Sequence, residues 1–225
     1  MGNTFTVGIK NYKSLQKEFN KLKQAPEIVT KRIVSDFKER APGWIAEEVV
    51  SVYNIKKREI KPSKSGDVSA GSIAVKGKTI KSVSLVYSGR LLTPTHFGMR
   101  PKKPTKSGEY KLTVEVLKGE VKTWGRNKKL TKKQRKQLGK NFRGQGPHSS
   151  PKSPNMLLHT GNRREGGTNY IPFQRVSQRR DDLEVRKTIS MPQMVSSKRV
   201  QKSIDEVLSK NIGKRLDQHM RRYMK

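Results

Sequence analysis

A long run without acidic residues constrains this chain more than any other feature. Residues 121–153 contain eleven Lys or Arg and no Asp or Glu. Such a segment repels itself and gains little by folding alone, so we expect a polyanion or an acidic protein surface to order it. The residues predicted to contact that partner are Lys122, Arg126, Lys128, Lys129, Lys132, Lys133, Arg135, Lys136, Lys140 and Arg143.

Composition limits the size of the core. Hydrophobic residues make up 31% of the 225-residue chain, the same share as charged residues, and the net charge is +33. Apolar residues nevertheless cluster with clear periodicity, so we expect a folded protein with long polar segments outside a modest core. We predict one α+β domain over residues 1–225, with residues 121–153 as a basic loop or extension that is ordered when bound. Cysteine is absent, which excludes disulfides and thiolate metal sites.

The N-terminus fits two different interpretations. Phe5, Val7 and Ile9 alternate with small or polar residues, which predicts a first strand. Gly2 and Thr6 also satisfy the short myristoylation pattern, which together with basic clusters would anchor a matrix-type protein to a membrane. We favour the strand, because the lipidation pattern is short and common. No apolar run approaches the length of a membrane-spanning helix, so we expect no membrane partner.

Apolar periodicity predicts two helices after this strand. A stripe at i, i+4 and i+7 runs through residues 15–22, and Pro26 is placed to open a second helix with apolar positions up to Val52. Pro42-Gly43 interrupts the second stripe, and Pro42 suits the first turn of a new helix. We therefore expect a helix boundary at Pro42.

The middle of the chain has the pattern of short antiparallel strands. Between Tyr110 and Val116 apolar residues alternate with polar ones, as in a half-buried strand. A further strand is predicted over residues 183–189. The expected architecture is N-terminal helices, a central and mostly antiparallel sheet with long basic loops, and a long C-terminal amphipathic helix.

Ser196-Ser197 is a candidate N-cap for that last helix. Its apolar face either docks on a neighbouring subunit or covers the sheet, and the sequence leaves both alternatives open. The residues assigned to an oligomer or docking role are Val200, Ile204, Leu208, Ile212, Leu216 and Met220.

Catalytic patterns are missing from the sequence. The four histidines have no i, i+4 pair, and no Walker loop, nucleophile elbow or dinucleotide-binding glycine motif is present. Asp181-Asp182 is best explained as a solvated turn, because a metal site needs acids from several elements. We expect no catalytic residues, no bound metal, no cofactor and no enzyme activity.

The basic segment by itself indicates a partner rich in phosphate. Lys and Arg contact phosphates irrespective of base sequence, which gives strongly salt-dependent affinity. No helix-turn-helix, zinc-finger, RRM or KH pattern is recognisable. A non-enzymatic nucleic-acid-binding protein of ribosomal or nucleoid type is therefore one hypothesis from the residues alone.

Seven short segments follow one another in a distinctive order along the chain. They are Ala41-Pro42-Gly43-Trp44-Ile45, Val52-Tyr53-Asn54-Ile55, Ser88-Gly89-Arg90-Leu91-Leu92-Thr93-Pro94-Thr95-His96-Phe97, Leu112-Thr113-Val114-Glu115-Val116-Leu117-Lys118-Gly119, Asn155-Met156-Leu157-Leu158-His159, Tyr170-Ile171-Pro172-Phe173 and Ile189-Ser190-Met191-Pro192-Gln193-Met194-Val195. In this order they resemble the minor tail protein Z family of tailed bacteriophages, also called tail completion proteins. The resemblance covers roughly residues 25–225.

The resemblance implies a structural virion protein at the neck of the tail. Such a protein would complete the head-proximal end of the tail and join the tail terminator to the head–tail connector. It would form a homo-oligomeric ring, with a hexamer favoured by the sixfold tail tube, and could contact the end of the packaged DNA. It would reside in the virion, and in the host cytoplasm during assembly.

Overall fold

The structure is a computed structural model that describes residues 3–20, 26–61, 67–68, 70–103, 110–127, 156–160, 169–175 and 183–223. It contains helices and antiparallel sheets with a long C-terminal helix, which confirms the α+β class. The chain divides into two compact units, one formed by residues 1–91 with 189–225 and the other by residues 92–188. That residues 1–225 act as a single domain stays a prediction.

Besides a short 3₁₀ helix at Lys57–Glu59, the described residues of the first unit form four strands and four α-helices. They are β1 (Asn3–Gly8), α1 (Tyr12–Asn20), α2 (Pro26–Val52), β2 (Asp67–Val68), β3 (Gly71–Lys76), β4 (Ser84–Gly89), α3 (Met191–Val195) and α4 (Lys198–Tyr223).

The sheet of the first unit has the order β1-β4-β3-β2, and every neighbouring pair is antiparallel. One face packs on α2 and α3, and its central residues Leu85 and Tyr87 are fully buried. The strand predicted at the N-terminus is confirmed as β1. Its alternation works because every second side chain of a strand points to the same face.

Helix α2 begins at Pro26, as expected, but continues through Pro42 to Val52. The predicted helix boundary at Pro42 is therefore wrong. An internal proline removes one backbone hydrogen bond and costs about 3 kcal/mol. Phe37 and Ile45, one turn to either side, are fully buried, and burial of such a side chain contributes roughly 1.5–3 kcal/mol each. Packing on both sides of Pro42 thus outweighs the local cost.

The two C-terminal helices follow each other closely. Ser190 caps α3 in a capping box with Gln193, whose side chain accepts a hydrogen bond from the Ser190 backbone N–H at 2.9 Å. Ser197 Oγ accepts a hydrogen bond from the backbone N–H of Arg199 at 3.4 Å, which matches the predicted N-cap of α4. Helix α4 packs along α2. No helix in the described part of the chain is long and apolar enough to cross a membrane.

Besides a short 3₁₀ helix at Pro94–His96, the described residues of the second unit form a hairpin and a separate three-stranded sheet. Its strands are β5 (Tyr110–Leu117), β6 (Glu120–Asn127), β7 (Met156–Thr160), β8 (Asn169–Arg175) and β9 (Leu183–Val185), with the sheet order β7-β8-β9. The strand expected over residues 183–189 ends at Val185.

The hairpin is a second correction to the expected architecture. Residues 121–127, counted above with the basic loop, are most of β6 and pair antiparallel with β5. The half-buried strand β5 needs a partner for its backbone groups, and the following segment supplies it through a tight turn. Gly119 in that turn has a φ of 81°, a conformation that favours glycine.

Candidate polyanion-binding surface

The ten predicted contact residues fall into two groups. Lys122 and Arg126 belong to β6, and Lys122 is exposed. The others lie outside the described residues, and they are Lys128, Lys129, Lys132, Lys133, Arg135, Lys136, Lys140 and Arg143. The structure therefore brings the first two onto the β5–β6 hairpin of the second unit, whose pairing has two register shifts, and leaves the role of the rest as a prediction.

Strand pairing adds basic residues that the sequence analysis did not single out. Lys111 of β5 is exposed and stands directly opposite Arg126 of β6. Like charges directly opposite each other in an antiparallel pair are destabilising. On the other edge of β5, Arg100 forms a two-hydrogen-bond bridge with Thr113, with N···O distances of 2.9 and 2.8 Å. Three basic residues thus gather at the open end of the hairpin, where the chain enters the basic segment.

The positive charge of the hairpin is compatible with an anionic partner. The exposed side chain of Lys111 is available for a charge-assisted hydrogen bond with a phosphate or carboxylate. The second unit as a whole carries 24 Lys or Arg against 7 Asp or Glu. The register of two strands could not be known from the sequence, since it depends on which residues flank the turn.

The predicted docking face of the last helix has a different position. Val200, Ile204, Leu208, Ile212 and Leu216 are all buried, with at most 4% of each exposed, and Met220 is half-buried. Because α4 packs along α2, this face belongs to the core of the first unit. The assignment of these residues to an oligomer interface is therefore corrected, and they form a covering helix that rests on α2 more than on the sheet.

A charged cluster joins α2 to α4 beside this core. The Asp36 carboxylate accepts hydrogen bonds from Arg215 Nε (2.8 Å) and Nη2 (2.9 Å), and from Arg40 Nε (3.1 Å). His219 Nε2 lies 2.7 Å from Asp36 Oδ2 and donates to it, because an ionised carboxylate can only accept. The two hydrogen bonds from the Arg215 guanidinium to Asp36 fix the position of α4 along α2. They also compensate the negative charge of the carboxylate.

Electrostatics keep Asp36 ionised. Burial favours the neutral acid, but the hydrogen bonds from Arg215, His219 and Arg40, with the charge of Arg215, outweigh it and lower the pKa of Asp36 to about 2. The hydrogen bonds to Asp36 in turn raise the pKa of Arg215. The cluster is a stabilising contact between two helices.

The sequence contained a weak sign of this cluster. Asp36 and Arg40 are four residues apart, as are Arg215 and His219, which places each pair on one side of its helix. His219 also comes three residues after Leu216, so a polar residue falls on an apolar stripe. Their pairing across the chain depends on how the helices pack.

No group of three or more metal-ligating His, Asp or Glu residues occurs among the residues that the structure describes. Asp181-Asp182 lies outside them. Comparisons of the chain with known protein families, with characterised proteins and with solved structures find no match.

Proposed function

We propose that this protein is a non-enzymatic structural component of a tailed phage or phage-like particle. In this role it completes the head-proximal end of the tail and joins the tail terminator to the head–tail connector. The observation that carries the proposal is the ordered series of segments that resembles the minor tail protein Z family. The α+β fold with a long terminal helix is compatible with it.

The positions of these segments in the fold support the resemblance as a structural one. Ala41-Pro42-Gly43-Trp44-Ile45 lies in the middle of α2, where Ala41 and Ile45 are fully buried. Leu112 and Val114 of the β5 segment are buried, and so are Met191 and Met194 in the segment that leads into α4. Residues that build a core are the ones that a shared fold would retain.

The charge distribution supports a position beside DNA or an acidic connector surface. In a ring, identical subunits would place their basic segments around one axis and multiply the charge of a single copy. The exposed Lys111 and Lys122 on the hairpin would add to that collar. The same charge supports the second candidate, a nucleic-acid-binding protein of ribosomal or nucleoid type.

Deletion of the gene from the genome of the particle-forming element tests the proposal. We expect filled heads and tails that fail to join, seen by electron microscopy, and at least about a thousandfold loss of infectious titre. A plasmid copy of the wild-type gene should restore both, and mass spectrometry of purified particles should detect the protein.

Two results would contradict the proposal. Normal, infectious particles from the deletion strain would exclude an essential role in the neck. Cofractionation of the protein with ribosomes or with the nucleoid, and not with particles, would favour the second candidate.

A further inference from the structure

Within the part of the chain that the structure describes, the sheet of the first unit has two open edges, one along β1 and one along β3 beyond its short pairing with β2. Among the described residues β1 pairs with β4 alone, and so does β3 beyond Ser72, since β2 covers just Gly71 and Ser72. An open edge presents unpaired backbone N–H and C=O groups to which another strand can add.

Apolar rows cross the sheet and end at these edges. In the register, Val7, Leu85 and Val75 form one row, and Phe5, Tyr87 and Ile73 form the next. The central residues of both rows are fully buried, whereas Val75 is 45% exposed. A strand added at the edge would cover the exposed end of each row.

The open edges also lack the features that protect most edge strands. Proteins usually place Lys, Pro or a bulge on such a strand to prevent pairing with another chain. Strand β1 contains no charged residue and no proline, and β3 carries one charge, at its last residue Lys76. In a chain with 51 Lys or Arg, these two edge strands carry one charge between them, so two copies can approach there with little repulsion.

We propose that the β1 edge of one copy pairs with the β3 edge of the next copy. The two edges match, because each has an apolar residue at alternate positions on the face toward the helices and small or polar residues on the other face, with Lys76 at the end of β3 as the one charge. A head-to-tail contact of this kind uses two different surfaces and closes into a ring or extends into a filament. The inference deepens the ring in the proposed function by naming its contact surface.

Engineered cysteines test the pairing in the purified full-length protein, which has no cysteine of its own. Thr6 and Ala74 lie in the same row on the outer face and are separated by Val86 of β4. Two strand spacings place them about 9.6 Å apart within one copy, too far for a disulfide. Facing each other across a copy boundary they would be about 4.8 Å apart, which is suitable.

We expect the Thr6→Cys, Ala74→Cys double variant to form a ladder of disulfide-linked oligomers under mild oxidation at high salt. Each single variant should stay monomeric on a non-reducing gel. Absence of the ladder would overturn the inference. Efficient dimer formation by Thr6→Cys alone would also overturn it, because that result means that two β1 edges pair with each other.

A pair of lysine substitutions provides the second test. Val75 on the edge and Ile28 on α2 are equally exposed, at 45% each. We expect Val75→Lys to weaken self-association in sedimentation experiments by at least about tenfold and Ile28→Lys to leave it unchanged. Equal effects of the two substitutions would overturn the edge contact. Circular dichroism should show the same folded spectrum for both.

The two proposals can fail separately. A monomeric purified protein that is nevertheless needed for joining heads to tails would remove the edge contact and keep the virion role. A cross-linked ladder from a protein that is absent from particles would do the reverse.

Discussion

The α2–α4 interface and the β5–β6 hairpin differ in whether an acidic residue compensates their positive charge. At the interface, one carboxylate, Asp36, accepts hydrogen bonds from two arginines and a histidine. On the hairpin, the residue directly opposite Lys111 in the strand register is a second basic residue, Arg126. Charge at the interface is compensated within the chain and stabilises the fold. On the hairpin the exposed Lys111 faces a second basic position across the strand pair.

The largest expected effect concerns the partner of the basic segment. Changing Lys128, Lys129, Lys132, Lys133, Arg135 and Lys136 to Gln should flatten the log–log salt dependence of duplex-DNA binding by up to about 0.9 per lost phosphate contact. Fluorescence anisotropy at several salt concentrations measures this slope. Thermal stability should hardly change, because exposed charges contribute little.

A matched control removes six exposed lysines from the first unit. These are Lys13, Lys17, Lys31, Lys198, Lys210 and Lys214, so the net charge of the two variants is equal. If both variants flatten the slope equally, overall charge and not the basic segment is responsible. If neither does, and incorporation into particles is also normal, the segment has no polyanion role.

The second prediction concerns the α2–α4 interface, where Asp36 compensates the positive charge. Asp36→Asn leaves Arg215 and His219, which are 27% and 7% exposed in their side chains, without an anion. Removing the anion from this partly buried cluster should destabilise the protein by about 2 kcal/mol, less than the roughly 3–5 kcal/mol lost on breaking a fully buried pair. Urea unfolding measures the loss. The surface pair of Lys10 and Asp205 provides the control, since Asp205→Asn should cost less than about 1 kcal/mol.

Acid should weaken the same interface. The pKa of Asp36 is about 2 in the folded protein against 3.8 for an ordinary aspartate, so the unfolded chain takes up this proton first as the pH falls. The stabilisation is complete above about pH 3.8 and is lost as the pH falls toward 2, by about 2 kcal/mol in total. Urea titrations at pH 5 and pH 2 measure it. The same loss in Asp36→Asn would assign the effect to other carboxylates.

The smallest predicted effect concerns the β5–β6 hairpin, where a basic residue stands opposite Lys111. Lys111→Glu replaces a like-charge pair on the hairpin by an opposite-charge pair, which should stabilise the protein by up to about 1 kcal/mol. The same change should weaken DNA binding, because it removes a positive charge and adds a negative one at the surface. Lys118→Glu, in the turn of the hairpin, should not stabilise. Destabilisation by Lys111→Glu would mean that Lys111 and Arg126 are not in repulsion.

Local patterns in the sequence were sufficient wherever a single element decides the outcome. Alternation predicted β1 and β5, the proline at position 26 predicted the start of α2, and Ser197 predicted the cap of α4. Each of these features depends on residues that are close together in the sequence. The charge of residues 121–153 is likewise a property of composition and needs no fold to be known.

Tertiary structure decided what depends on residues far apart in the chain. Asp36 and His219 are separated by 183 positions, and only the packing of α2 on α4 brings them together. The same packing keeps α2 intact through Pro42 and turns the apolar face of α4 inward. Strand register set Lys111 opposite Arg126. Periodicity predicts which face of a helix or strand is buried. Which residues pack against that face depends on how the elements pair and pack across the whole unit.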